Sequence, residues 1–173
     1  GFSRLSLDLS GTRSLDEAKA KIAEFAAANP GRPWILGFGW NQEAWGLGRF
    51  PTVADLSGLA GGRPIWLERV DGHAGWANDA ALAAAKITAT TKAPTGGRIL
   101  LAAGKPAGVL VDKAMGLMTR VVPPPQPKDY DAALAKAKEA LLARGVTGIA
   151  DMGTTIEGWQ ALRRAGDRGA LRI

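Results

Sequence analysis

The segments DYDAALAKAKEALLARG (129–145), VTGIADM (146–152) and GTTIEGWQALRRAG (153–166) point to the fold class. In the first, Leu134, Ala137, Leu141 and Leu142 recur at helical spacing, so a helix is predicted to start at Asp129 or Asp131 and stop at Gly145. The second is short and apolar, as a buried strand is. In the third, Thr154 or Thr155 caps a helix through Trp159 and Leu162 that stops near Gly166, and Leu171–Ile173 would begin another strand. Helix, strand, helix, strand is the rhythm of a parallel α/β fold.

Upstream, Pro123-Pro124-Pro125-Gln126-Pro127 forms an extended linker, the best internal boundary. Leu110, Ala114, Leu117, Met118 and Val121 recur at helical spacing before it, which predicts a helix carrying Asp112 and Lys113. Either could approach a metal, the lysine even as a carbamate, but a solvated pair on the helix surface is favoured. Residues 88–107 read as two short strands joined at Ala103-Gly104-Lys105. Asn78 is expected to cap a helix over 79–86, after a strand at Pro64–Val70. A strand at 33–40 precedes a loop-rich stretch with a short helix from Thr52 to Leu59. Ser14 and Glu17 form the signature of a capping box for a helix over 15–28, and the alternation at 5–9 reads as a half-buried strand.

Composition excludes several classes. The 173 residues hold no Cys and one His, so disulfides, thiolate zinc sites, cysteine nucleophiles and paired-histidine metal motifs are ruled out within the chain. No apolar run is long enough for a membrane-spanning helix, and neither a Walker loop nor a strand–GxGxxG–helix unit occurs. The net charge of +6 and pI near 10.0 are a weak version of a nucleic-acid signal. Six Trp suit cores and pocket walls alike. With no starting Met and no signal-peptide pattern, the chain is read as a piece of a longer protein. A Cys-free chain does not fix a compartment; a cytoplasmic one is favoured.

Four segments carry a resemblance. They are Leu36–Trp40 followed by Phe50–Leu56; Val70-Asp-Gly-His-Ala-Gly-Trp-Ala-Asn78-Asp-Ala-Ala-Leu82; Gly97-Arg-Ile99 leading to Ala107–Ala114; and Ala143-Arg-Gly-Val-Thr-Gly-Ile-Ala-Asp151-Met-Gly153. In order and spacing the chain resembles the family-3 amidohydrolases, the group containing N-substituted formamide deformylases. The resemblance implies an α/β fold, a fragment of a TIM-type (β/α) barrel carrying a mixed α+β insertion. Residues 1–30 would be a barrel strand and helix, 31–122 the insertion, and 123–173 a barrel helix–strand–helix unit.

It further implies that the parent protein hydrolyses a carbon–nitrogen bond other than a peptide bond, with water activated by zinc or another divalent metal. The family's His-x-His metal motif is absent, and Ala150 stands where relatives often carry a His. No metal ligand or cofactor is therefore expected in this chain, which would supply pocket wall and lid and be inactive alone. Its partners would be a small amide-type substrate and the remainder of the parent chain or a second copy, with neither nucleic acid nor membrane.

His73, flanked by glycines after a strand, either faces a substrate as donor or general acid, or bonds a carbonyl in a tight turn. The resemblance favours the first. Asp71 either orients His73 and contacts substrate or serves the turn, the turn role being favoured. Trp40 and Trp76 are candidate pocket walls with core as an equal alternative, and Trp66 is read as core. Asp151, at the end of a barrel-type strand, is a second catalytic candidate, with loop capping as its other reading. The competing functional class is a basic, Trp-rich module that binds carbohydrate or single-stranded nucleic acid by stacking.

Overall fold

A computed structural model describes residues 6–171, so the predicted strand at 5–9 and that at 171–173 lie partly outside the described residues. The chain divides into two compact units, one of residues 6–123 and one containing the residues from 124 onward. Among the described residues, no helix is long and apolar enough to cross a membrane.

The first unit is built on a six-stranded mixed sheet in the order β1-β2-β3-β4-β6-β5. β1 (Leu7–Asp8), β2 (Ile35–Trp40) and β3 (Ile65–Arg69) run parallel. β4 (Ala74–Ala77), β6 (Lys105–Asp112) and β5 (Gly97–Ala102) continue it antiparallel. Helix α1 (Leu15–Ala28) follows β1 and α2 (Asp79–Ala84) follows β4. A 3-10 helix at Val53–Leu56 interrupts the β2–β3 connection, and α3 (Met115–Thr119) follows β6.

Strand alternation divides the apolar residues between the two faces of the sheet. Ile65, Leu67, Trp76, Val109 and Val111 join Ala18, Ile22 and Ala26 of α1 in one buried cluster. Trp66, Ala77 and Leu110 join Ala81 and Leu82 of α2, with Met118 of α3, in a second. A sheet covered on both faces buries nearly continuous apolar runs, as in Ile65-Trp66-Leu67.

Local signals account for the helix starts. Glu17 N–H donates to Ser14 Oγ at 3.1 Å, while the Glu17 carboxylate reaches back to Arg13 N–H at 2.8 Å. Asn78 Oδ1 accepts from Ala81 N–H at 3.0 Å and from Ile65 N–H at 2.9 Å, so it caps α2 and also closes the entry to β3. The predicted helix containing Leu110 is corrected. Residues 109–111 alternate within β6, and sheet pairing with β4 overrides the helical spacing.

The second unit contains α4 (Pro127–Leu142) and α5 (Ile156–Asp167). α4 starts two residues before Asp129, with Pro127 in its first turn and the Asp129 carboxylate accepting the Gln126 N–H at 2.7 Å. Thr155 caps α5. Arg164 joins the helices, its Nη2 2.7 Å and its Nε 3.1 Å from Asp131 Oδ1.

The predicted buried strand at 146–152 is also corrected. Those residues are irregular, with Ile149 59% and Met152 96% exposed. An extended segment needs a paired neighbour for its backbone groups, and among the described residues no strand pairs with this one.

Candidate functional site

His73 sits on the turn that reverses β3 into β4. Gly72, at φ +74°, takes the left-handed conformation that lets the chain fold back so tightly. Asp71 Oδ1 accepts the His73 N–H at 3.0 Å, the local turn bond expected of an Asp before Gly. The other Asp71 oxygen accepts from Arg69, whose Nε donates to Gln42 Oε1 at 2.9 Å and whose guanidinium lies 5.9 Å from the Trp40 ring centre. Partial burial pushes Asp71 up, but the His73 N–H and the Arg69 charge outweigh it and hold the carboxyl below its usual range. The turn is thus braced from β2 through β3.

The imidazole meets Asp112, the last residue of β6, with Nδ1 3.0 Å from Oδ1. Asp112 N–H also donates to the His73 carbonyl at 2.9 Å. Asp112 stands at φ +49°, a left-handed conformation that Asp tolerates better than most residues. The predicted place of Asp112 on a helix surface is therefore corrected. It ends a strand, and β4–β6 pairing brings it to His73. Both side chains are open, His73 75% and Asp112 51% exposed. Among the described residues, nothing bonds Nε2. The arrangement offers solvent an imidazole whose orientation is set by a carboxylate.

The tryptophans lie elsewhere. Trp40 and Trp76 are fully buried, with ring centres 6.2 Å apart, and Trp45 and Phe50 pack against Trp40 at 6.5 and 6.3 Å. Trp40 Nε1 donates to the Leu67 carbonyl at 2.8 Å and Trp76 Nε1 to that of Thr52 at 2.9 Å. These rings belong to the buried core, and the Arg69 guanidinium that bonds Asp71 lies against the Trp40 ring. Trp66 is buried on the opposite face. None of the three offers a stacking face to a sugar or base.

Asp151 belongs to the second unit. Its Oδ1 accepts the Gly153 N–H at 3.0 Å, and the Thr154 hydroxyl, then that N–H, hold the carboxyl below its usual range. It lines an open, largely apolar groove of about 1060 Å³ with Leu134, Ala137, Ile149, Trp159 and Leu162.

Among the described residues, no three His, Asp or Glu side chains converge as a metal would require. Sequence reasoning did not bring Asp112 to His73, nor Arg69 and Gln42 to the turn they brace. The signal for Asp112 was the strand-like run Val109-Leu110-Val111 leading to it, in competition with the helical spacing.

Comparison with known proteins places this geometry in context. A sequence profile described as the Amidohydrolase family matches residues 2–173. Among curated proteins, the chain is 34% identical to Protein LONG AFTER FAR-RED 3 of Arabidopsis thaliana, over 91% of this chain and 27% of that protein. It is 38% identical to the putative amidohydrolase YtcJ of Bacillus subtilis, over 86% and 28%. It is 31% identical to the N-substituted formamide deformylase of Arthrobacter pascens, over 91% and 30%. The chain thus spans under a third of the length of these relatives. Among solved structures, an uncharacterized metal-dependent hydrolase from Pyrococcus horikoshii is similar in fold, with a TM-score of 0.71 at 24% identity over 99% of this chain and 32% of that one.

Proposed function

Because the chain belongs to the amidohydrolase family, we propose that the protein of which it is a segment hydrolyses an amide-type carbon–nitrogen bond other than a peptide bond. The observation that carries this reading is the family match along residues 2–173. Likeness to the N-substituted formamide deformylase supports the bond type. We place the segment in a TIM-type barrel enzyme, with a mixed insertion around the sheet and a barrel-type helical unit after residue 123.

In this reading the segment supplies pocket wall and lid. His73 is its polar contact with substrate, because it is the imidazole that is both open to solvent and oriented by a carboxylate. Asp71 holds the turn beneath it, and Trp40 and Trp76 pack in the buried core. A divalent metal, zinc or another, would be held by groups other than those described. The groove beside Asp151 would be covered by the remainder of the parent chain or by a second copy.

The test is an assay of the full-length protein on a panel of N-formyl and N-acyl amines. Release of the amine, lost on chelation and restored by zinc, is expected. No amine release from any panel member overturns the reading.

A further inference from the structure

We infer that Asp112 is a positioning residue that holds His73 as its Nδ1–H tautomer, so that the neutral imidazole presents the Nε2 lone pair to accept a hydrogen bond from a substrate N–H. This deepens the reading of His73 as the substrate contact and rests on it for the substrate, though not for the tautomer.

An ionised carboxylate can only accept. With Asp112 Oδ1 3.0 Å from Nδ1, the proton of that contact belongs to the ring. A neutral imidazole carries one N–H, so Nε2 is then the acceptor. The two residues are joined a second time by Asp112 N–H donating to the His73 carbonyl at 2.9 Å, which holds their backbones side by side. The Asp71 bond to the His73 N–H fixes the same residue from the other side.

The placement also argues against a purely structural pair. At 75% and 51% exposure the two side chains gain little stability from their contact. Asp112 itself ends β6 with a left-handed backbone at φ +49°, just before the turn into α3. What the contact does secure is the direction and tautomer of the ring.

An acceptor at Nε2 changes the substrate group that His73 suits. A neutral ring of this tautomer has no hydrogen for the amide carbonyl at Nε2, but it matches the N–H of a secondary amide. An N,N-disubstituted amide would leave the lone pair without a donor.

His73 is the sole histidine, so a long-range proton–nitrogen spectrum of the 15N-labelled chain contains one imidazole. In the neutral ring a protonated Nδ1 and a bare Nε2 are expected. Asp112→Ala should move the ring toward Nε2–H, with the backbone amide spectrum confirming that the variant is folded. A wild-type ring already in the Nε2–H form overturns the inference, whether or not the variant folds. In the full-length protein, preference for a secondary amide over its N-methylated counterpart should fall about tenfold in Asp112→Ala, mainly through KM. Turnover without any such preference overturns the substrate half. No turnover of any amide overturns the reading of function, and the spectrum still decides the tautomer.

Discussion

His73 and Asp112, 39 residues apart, are bonded twice, ring to carboxylate at 3.0 Å and carbonyl to amide at 2.9 Å. The contact exists because β4 pairs antiparallel with β6, setting Ala74 opposite Val111 and bringing the residues just beyond them together. The turn that carries the imidazole therefore depends on a long-range strand pair, and disturbing that pair should disturb the site.

Gly75, opposite Glu68 in β4, is where such a disturbance is easiest to make. The Trp66 indole lies over it so closely that an added Cβ would sit 1.9 Å from the ring. Gly75→Ala should lose about 1–3 kcal/mol, the usual range for overpacking a core. Urea unfolding measures it, and Trp66→Leu in the same chain should recover part of the loss.

Arg63 closes the C-terminal end of α1. Its Nη2 donates to the Ala26 carbonyl at 2.7 Å, and its Nη1 to those of Asn29 at 2.7 Å and Arg32 at 3.1 Å. Arg63→Ala should cost about 2 kcal/mol or more, since charged hydrogen bonds to partly buried carbonyls are lost together. Arg63→Lys should recover little in thermal melts, because one ammonium cannot span the carbonyls that the guanidinium fork reaches.

Acid should destabilise the first unit through Asp55. Burial raises this carboxyl, but Arg49 at 2.9 Å and the Thr52 N–H at 2.7 Å, together with the Thr52 hydroxyl, hold it below its usual range. A depressed folded value gives stability that is present above the ordinary carboxylate value of about 3.9 and lost as pH falls through the folded one. Asp55→Asn should flatten the acid limb of a melting-temperature profile. An unchanged limb contradicts the assignment.

The chain by itself should bind zinc no more tightly than about micromolar, because its described residues bring no three ligands together. Isothermal calorimetry showing tighter binding would mean that a ligand set forms outside the described arrangement.

Much of this was legible where short-range chemistry decides the structure. Ser14, Asn78 and Thr155 cap the helices their spacing predicts. Asp71 makes its turn bond within two residues. What was not legible depends on distant pairing. Leu110 fits a helical repeat with Ala114 and Leu117, yet β4 draws it into β6. The apolar run at 146–152 has the composition of a strand but no described partner, and it stays irregular. The Asp112–His73 contact was missed for the first of these reasons, since a residue on a helix surface has no cause to meet His73. Trp40 and Trp76 show the converse limit, because sequence marks them as large and flat without saying which side of the sheet they take.

If His73 serves the reaction of the full-length protein rather than the stability of its turn, its removal should separate the two. The direct measurement is turnover and unfolding free energy of His73→Ala in that protein, side by side. A fall in kcat/KM on the order of a hundredfold is expected, the scale of a lost acid–base group or oriented polar contact, with stability nearly unchanged. Full turnover combined with a loss of about 1 kcal/mol or more, a typical effect of a structural substitution, would contradict it.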